Sequence, residues 1–286
     1  MGAGERGLTR LIVTADDFGL AEAVNEAVER AHREGILTTA SLMVGAPHAD
    51  DAVRRARLMP GLAVGLHLVV ARGKPVLPPT EIPDLVDDAG RLDSNLVRAG
   101  FRYFFLPRVR RQLQAEIRAQ FDAFRATGLK LDHVNAHNHM HLHPTVLSIM
   151  LRVGGEYGMR AVRLPAEPVA AGGYRGGALL SWLFLRVWVA LMKARLKRAG
   201  IAFNRFLLGL RRTGAMDARR VRALLAAIPA GDGEIFFHPA TGGWRDTDGD
   251  AANYRPADEL AALIDPTIRK AIDDLAVRLI AFRDLG

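Results

Sequence analysis

Four short apolar runs in this chain each stop at or carry an aspartate or a histidine. Leu11-Ile12-Val13 leads to Asp16-Asp17, a run over 62–70 carries His67, a run from Leu129 leads to His137 and His139, and Ile235-Phe236-Phe237 stops at His238. Runs this apolar read as strands buried on both faces, the habit of parallel sheets covered by helices. Segments of helical period lie between them: Glu22 to Arg33, with Ala23, Val24, Ala27, Val28 and Ala31 on one side, then Ala49 to Leu58, Val109 to Ala126, Pro144 to Tyr157 and Ala218 to Ala227. Further strands are expected over 38–44 and 160–164, and helices run to about Asp274. Strand and helix in alternation indicate an α/β fold with a parallel sheet. At 286 residues the chain suits one α/β barrel, a fold that takes about 250. In such folds the C-terminal ends of the strands carry the active site, where these polar residues recur.

The segment from His133 to His143 is the richest in chemistry. His133, Asn135, His137, His139, His141 and His143 all occupy odd positions, and the expectation is a strand to about His137 with imidazoles stacked on one side. Neutral imidazole is the commonest metal ligand in proteins. The chain has no cysteine, so any metal is held by His, Asp or Glu. Not all of these imidazoles can share one ion. One or two are ligands, and the others contact substrate or orient the ligands.

Of the adjacent carboxylates Asp16 and Asp17, one can ligate a metal while the other faces substrate as a general base. His67, flanked by Leu66 and Leu68, is expected to point inward. One carboxylate and two imidazoles leave open positions for water, an arrangement suited to hydrolysis by a divalent ion, magnesium or zinc. His238 is placed to donate a proton to a leaving amine.

Thr14-Ala15-Asp16-Asp17-Phe18-Gly19 with Asn25, then Gly65-Leu66-His67-Leu68, then the His-x-His-x-His segment before Pro144, then His238-Pro239, resemble the YdjC-like carbohydrate deacetylases in order and spacing. The segments over 11–19 and 133–139 are most similar to the branch associated with hopanoid biosynthesis (HpnK-type). The resemblance implies a single distorted (β/α) barrel over 1–286 that removes N-acetyl groups from amino sugars with one divalent metal ion. It implies Asp16 as general base, Asp17, His67 and His137 as metal ligands, and His238 as acid or substrate contact. His139, His141 and Arg163 are then substrate-binding residues, and the substrate is an N-acetylglucosaminyl hopanoid lipid. Many members carry Asp where this chain has Asn135, which leaves the histidine partner uncharged.

Net charge is +8, but it is local. From Pro168 to Met216 there is no acid and there are nine basic residues, and without them the chain carries −1. This stretch reads as a basic, apolar insertion. Within it, residues 179–191 are apolar at nearly every position, a run too short to span a bilayer but suited to a helix lying in a membrane interface over 179–198. Nucleic-acid binding around a structural metal predicts aromatic platforms among the basic residues, whereas here the aromatics sit in the apolar run. No nucleic-acid partner is therefore expected, and a phosphoesterase or other sugar-processing enzyme on the same barrel is the alternative within enzymes. The polar, Gly-rich start (Met1 to Arg10) lacks a secretory apolar core, so the expectation is a cytoplasmic protein at the inner face of the membrane, possible as a homodimer.

Overall fold

The structure is a computed structural model that describes residues 8–242 and 253–285, so the N-terminal stretch up to Gly7 lies outside the described residues. In chain order the elements are β1 (Thr9–Phe18), α1 (Glu22–Glu34), β2 (Thr39–Leu42), α2 (Ala49–Arg57), β3 (Ala63–Leu68), α3 (Leu96–Phe105), α4 (Pro107–Ala126) and β4 (Val134–Ala136). Then follow α5 (Pro144–Glu156), α6 (Val169–Gly172), α7 (Gly177–Arg198), β5 (Phe206–Leu208), α8 (Ala218–Ala226), β6 (Gly231–Phe237), α9 (Pro256–Leu263), α10 (Pro266–Asp274) and β7 (Arg278–Ile280).

All pairings among the described strands β1–β7 are parallel, in the order β4-β3-β2-β1-β6-β5, with β7 beside the first half of β1. The sheet curls until its ends meet through residues 160–166. Val162 bridges to Val134, the Arg163 amide donates to the Val134 carbonyl at 3.2 Å, and the Leu207 amide donates to the Ala166 carbonyl at 3.0 Å. The result is a distorted (β/α) barrel.

Period-two alternation sorts the side chains into two environments. Leu11, Val13 and Ala15 pack outward with Val24, Ala27, Val28 and Ala31 of α1 in the main core. The opposite face of β1 holds Ile12, then Thr14, then Asp16. Ile12 joins a small cluster with Ala161, Ile280 and Phe282 that plugs the bottom of the barrel. Above it the interior is polar: Thr14 Oγ1 lies 2.7 Å from both Thr39 Oγ1 and Glu234 Oε1.

Three expectations are corrected. The strand ends near His137 as expected but starts only at Val134, and the imidazoles beyond it do not stack on one side: His137–Leu142 forms a 3-10 turn in which Asn138 and His139 adopt left-handed φ of 52° and 54°. Asn tolerates that conformation better than most residues, and the alternation ends there. Residues 168–216 are not wholly an insertion, because β5 is a strand of the sheet and Met192 and Leu196 of α7 are core residues. Glu116 of α4 accepts from the Val76 and Leu77 amides at 2.8 and 3.0 Å, and Ile82, Leu85 and Leu92 are buried. Finally, α7 is a 22-residue helix, the one described helix long and apolar enough to cross a membrane by length and composition, and only 6% of its apolar window is buried.

Candidate active site

A bulge in β1 builds the centre of the site. Ala15 pairs with Ala40 and Phe18 with Leu42, so β1 carries one more residue than β2 between these pairs. Asp17 takes a φ of 62° there, a left-handed conformation rare outside glycine and concentrated at functional positions. Without the bulge, consecutive residues would face opposite sides. With it, Asp16 and Asp17 both lie in the barrel mouth, each 2% exposed. Asn25 of α1 holds the exit from the strand: its Oδ1 accepts from the Gly19 amide at 2.8 Å, and its Nδ2 donates to the His48 carbonyl at 3.0 Å.

Asp17 faces two imidazoles. Its Oδ1 lies 3.3 Å from His67 Nε2 and 3.2 Å from His137 Nδ1, and the ligand atoms of the three residues all fall within 4.8 Å of one another. His67 Nδ1 lies 2.6 Å from Asn135 Oδ1. With Nδ1–H donating to that oxygen, Nε2 turns a lone pair toward the Asp17 carboxylate, and this buried nitrogen has no hydrogen-bond partner. Two lone pairs facing each other in a buried site are a place for a cation, and one oxygen with two nitrogens is a donor set that fits a divalent ion. Burial pushes the Asp17 carboxyl up, but His137 holds it well below the usual carboxylate range.

Asp16 is engaged differently. Arg163 Nη1 and Nη2 grip its two oxygens at 2.5 and 3.0 Å, and Asn135 Nδ2 donates to Oδ1 at 3.3 Å. Burial opposes the charge, yet Arg163 holds the carboxyl below its ordinary range. Arg163 is fully buried and shared with Glu234, whose Oε1 accepts from Nε at 2.9 Å and Nη2 at 2.6 Å. Its guanidinium also sits over the Phe236 ring, 5.0 Å from the centroid. Arg163→Met leaves two buried carboxylates without their cation. It is expected to cost about 3–5 kcal/mol in urea denaturation, and an unchanged midpoint would show that the arginine is not what neutralises them.

His238 Nε2 lies 4.0 Å from Asp17 Oδ2, and Glu259 fixes the backbone there by accepting from the His238 amide. Burial holds the His238 ring below its ordinary pKa despite Asp17 and Asp16. His139 stands edge-on to Phe236 at 5.5 Å between centroids, with Nδ1 buried and unpartnered. His141 is not brought to the mouth. It is fully buried, and its Nε2–H donates to the Arg163 carbonyl at 3.1 Å, so it braces the arginine from behind. His143 is further off, beside Tyr103 and Phe104. Asp16, Asp17, His67, His137, Arg163 and His238 therefore converge, His139 borders them, and His141 supports them. Sequence patterns single out neither Glu234 nor Glu259, although an acid inside an apolar strand, directly before Ile235-Phe236-Phe237, is the signal that marks Glu234.

Residues 10–274 match the family of YdjC-like proteins. The chain belongs to that family. A carbohydrate deacetylase from Geobacillus stearothermophilus is 29% identical over 96% of both chains, and one from Mus musculus is 32% identical over 96% of this chain and 94% of its own. A Brevibacillus brevis carbohydrate deacetylase is 42% identical, but that match spans 52% of this chain and 56% of the relative, about half the length of each. Among solved structures, an Enterococcus faecalis protein named for cellobiose-phosphate cleavage superposes with a TM-score of 0.73 at 24% identity, covering 96% of this chain and 98% of that one. That likeness concerns the fold.

Proposed function

We propose that the protein is a divalent-metal-dependent N-deacetylase of an amino sugar carried on a lipid. The observation that carries the reading is the convergence of Asp17, His67 and His137 from the ends of separate strands, with an arginine-held Asp16 beside them. The carbohydrate deacetylases among its relatives support the substrate class. The hopanoid assignment rests on the resemblance of residues 11–19 and 133–139 to that branch of the family.

Asp17, His67 and His137 would hold the ion, magnesium or zinc, which supplies Lewis acidity toward an acetamide carbonyl. The rest is the work of side chains. Asp16, kept anionic by Arg163, accepts a proton from the attacking water. The amide C–N bond breaks as the nitrogen gains a proton from His238, and acetate and a free amine result. Burial favours neutral His238, so the proton it delivers is one passed on within the site. His139 and Phe236 border the mouth and offer a wall for the sugar. Product analysis tests the reading: acetate released from an N-acetylglucosaminyl lipid or from chitobiose supports it, whereas phosphate released from a sugar phosphate points to a phosphoesterase.

The exterior of α7 supports lipid linkage. Leu180, Leu183, Phe184, Val187 and Leu191 recur at helical spacing and are 47–70% exposed, an apolar stripe turned to solvent. Arg186, Lys193, Lys197 and Arg198 lie on the same helix, and Arg186 stacks on Trp182 at 4.8 Å from the ring centroid. An apolar stripe fringed with cations suits an interface rich in anionic lipid, where each cation near the surface adds about 1 kcal/mol. The protein is expected to float with anionic liposomes, and Leu183→Glu with Phe184→Glu to abolish flotation without changing turnover of a water-soluble substrate. Equal flotation of that double variant would remove α7 from the account.

A further inference from the structure

A second line of buried polar side chains runs behind His67. His133 is fully buried, stacked on Phe282 with centroids 4.2 Å apart, and so close over Gly65 that a Cβ at that position would meet its ring at 2.4 Å. Its Nδ1 lies 3.0 Å from Asp132 Oδ2, and its Nε2 lies 3.1 Å from Ser41 Oγ. Asn135 Nδ2 donates to Ser41 Oγ at 2.9 Å, and Asn135 Oδ1 meets His67 Nδ1 at 2.6 Å. The other oxygen of Asp132 accepts from the Arg283 amide at 3.1 Å.

The directions of the bonds in this line follow from the carboxylate at its far end, Asp132, and agree with Asp16, which accepts from Asn135 Nδ2 at 3.3 Å. A carboxylate only accepts, so His133 Nδ1 carries the proton, and in the neutral ring Nε2 accepts. Ser41 must then donate its hydroxyl hydrogen to His133 and can only accept from Asn135. That places the Asn135 amide nitrogen toward Ser41 and its oxygen toward His67. His67 is left with its proton on Nδ1 and a lone pair on Nε2, the nitrogen that faces Asp17. The trio Asp132, His133 and Ser41 has the atom order of a serine nucleophile's triad, but Ser41 is fully buried and engaged by Asn135, so its oxygen is not open to a substrate.

We infer that Asp132, His133, Ser41 and Asn135 form a hydrogen-bonded relay that fixes the tautomer of His67 for cation binding. They are positioning residues, and the inference rests on the reading of Asp17, His67 and His137 as a cation site. The need for a carboxylate at position 132 follows from its two partners. The amide of Asp132→Asn offers one acceptor to two donors. If its oxygen keeps the Arg283 amide, its NH₂ group faces His133 and drives the line to reverse against the 3.3 Å donation from Asn135 to Asp16, shifting the proton toward His67 Nε2. An anchored acceptor at Asp132 thus explains why an uncharged Asn135 suffices next to the ligand.

Histidine ¹⁵N NMR on the metal-stripped full chain, with zinc affinity measured by chelator competition, tests this. In the wild type both His67 and His133 are expected as the Nδ1–H tautomer. Asp132→Asn and Ser41→Ala are each expected to weaken zinc binding by about 10–100-fold, the usual cost of losing an outer partner of a ligand, and to shift His67 toward Nε2–H. Their turnover recovers at saturating zinc, which a general packing defect would not allow. If Asp132→Asn fails to fold, Ser41→Ala removes a single oxygen and reads the same step, and the wild-type spectrum needs no variant. A wild-type His67 protonated on Nε2, or unchanged zinc affinity in a folded variant, overturns the inference. Neither readout requires acetate release, so a chain that binds zinc this way yet deacetylates nothing refutes the proposed activity and leaves the relay standing.

Discussion

Asp16→Asn is expected to lower kcat for acetate release by about 10²–10⁴-fold, the usual contribution of a general base, with the bound cation retained. The substitution keeps the shape of the side chain and one of its oxygens for Arg163, which grips the native carboxylate at 2.5 and 3.0 Å. What it removes is the capacity to accept a proton beside Asp17. The same arginine explains how a fully enclosed carboxylate stays ionised, since burial alone would favour its neutral form. Glu234, bound to Arg163 from the other side, keeps the guanidinium oriented in the variant. Metal content by elemental analysis and kcat under saturating substrate check the prediction. A variant that retains its metal and turns over within a few-fold of the wild type would exclude Asp16 as the base.

Asp17→Asn is expected to abolish turnover by a different route, through loss of the ion. Asp17 is the only charged member of the candidate ligand set, and its Oδ1 is the atom that both His67 Nε2 and His137 Nδ1 approach, at 3.3 and 3.2 Å. An amide at this position either turns its NH₂ group toward the two imidazoles and fills the place of the cation with hydrogens, or presents a neutral oxygen. Affinity falls by more than the about 10–100-fold that the loss of an outer partner costs. The metal-free fold is expected to tolerate the change, because removing a buried charge relieves desolvation. Isothermal titration of the stripped variant checks this directly, and wild-type affinity in Asp17→Asn would disprove the ligand set.

The strand ends were legible because Leu11-Ile12-Val13 and Ile235-Phe236-Phe237 are too uniformly apolar for an exposed edge, and a polar residue directly after such a run has few places to go but the sheet's rim. Period two also ordered the interior, so His133 and Asn135 do share a face. It failed from His137 onward, where left-handed turns at Asn138 and His139 replace the strand. Alternation carries no record of where pairing stops. The bulge at Asp16-Asp17 was equally hidden, since it depends on the register between β1 and β2 rather than on either strand alone. Helix α3 was missed because its apolar residues do not mark a core face: Ala99 and Tyr103 are buried, whereas Val97, Phe101, Phe104 and Phe105 are exposed. Ser41, Asp132 and Glu234 are ordinary residues in sequence and acquire meaning only from partners that the fold brings to them, for Ser41 and Glu234 tens of positions away.

The central claim is that one cation, held by residues 17, 67 and 137, is what makes this barrel a deacetylase. Titration of the metal-stripped protein with zinc or magnesium, following acetate release from an N-acetylglucosaminyl substrate, tests it most directly. The account predicts no release without metal and activity that saturates with one bound ion per chain. Full activity in the stripped protein, or one tightly bound ion with no acetate from any N-acetylated amino sugar, would contradict it.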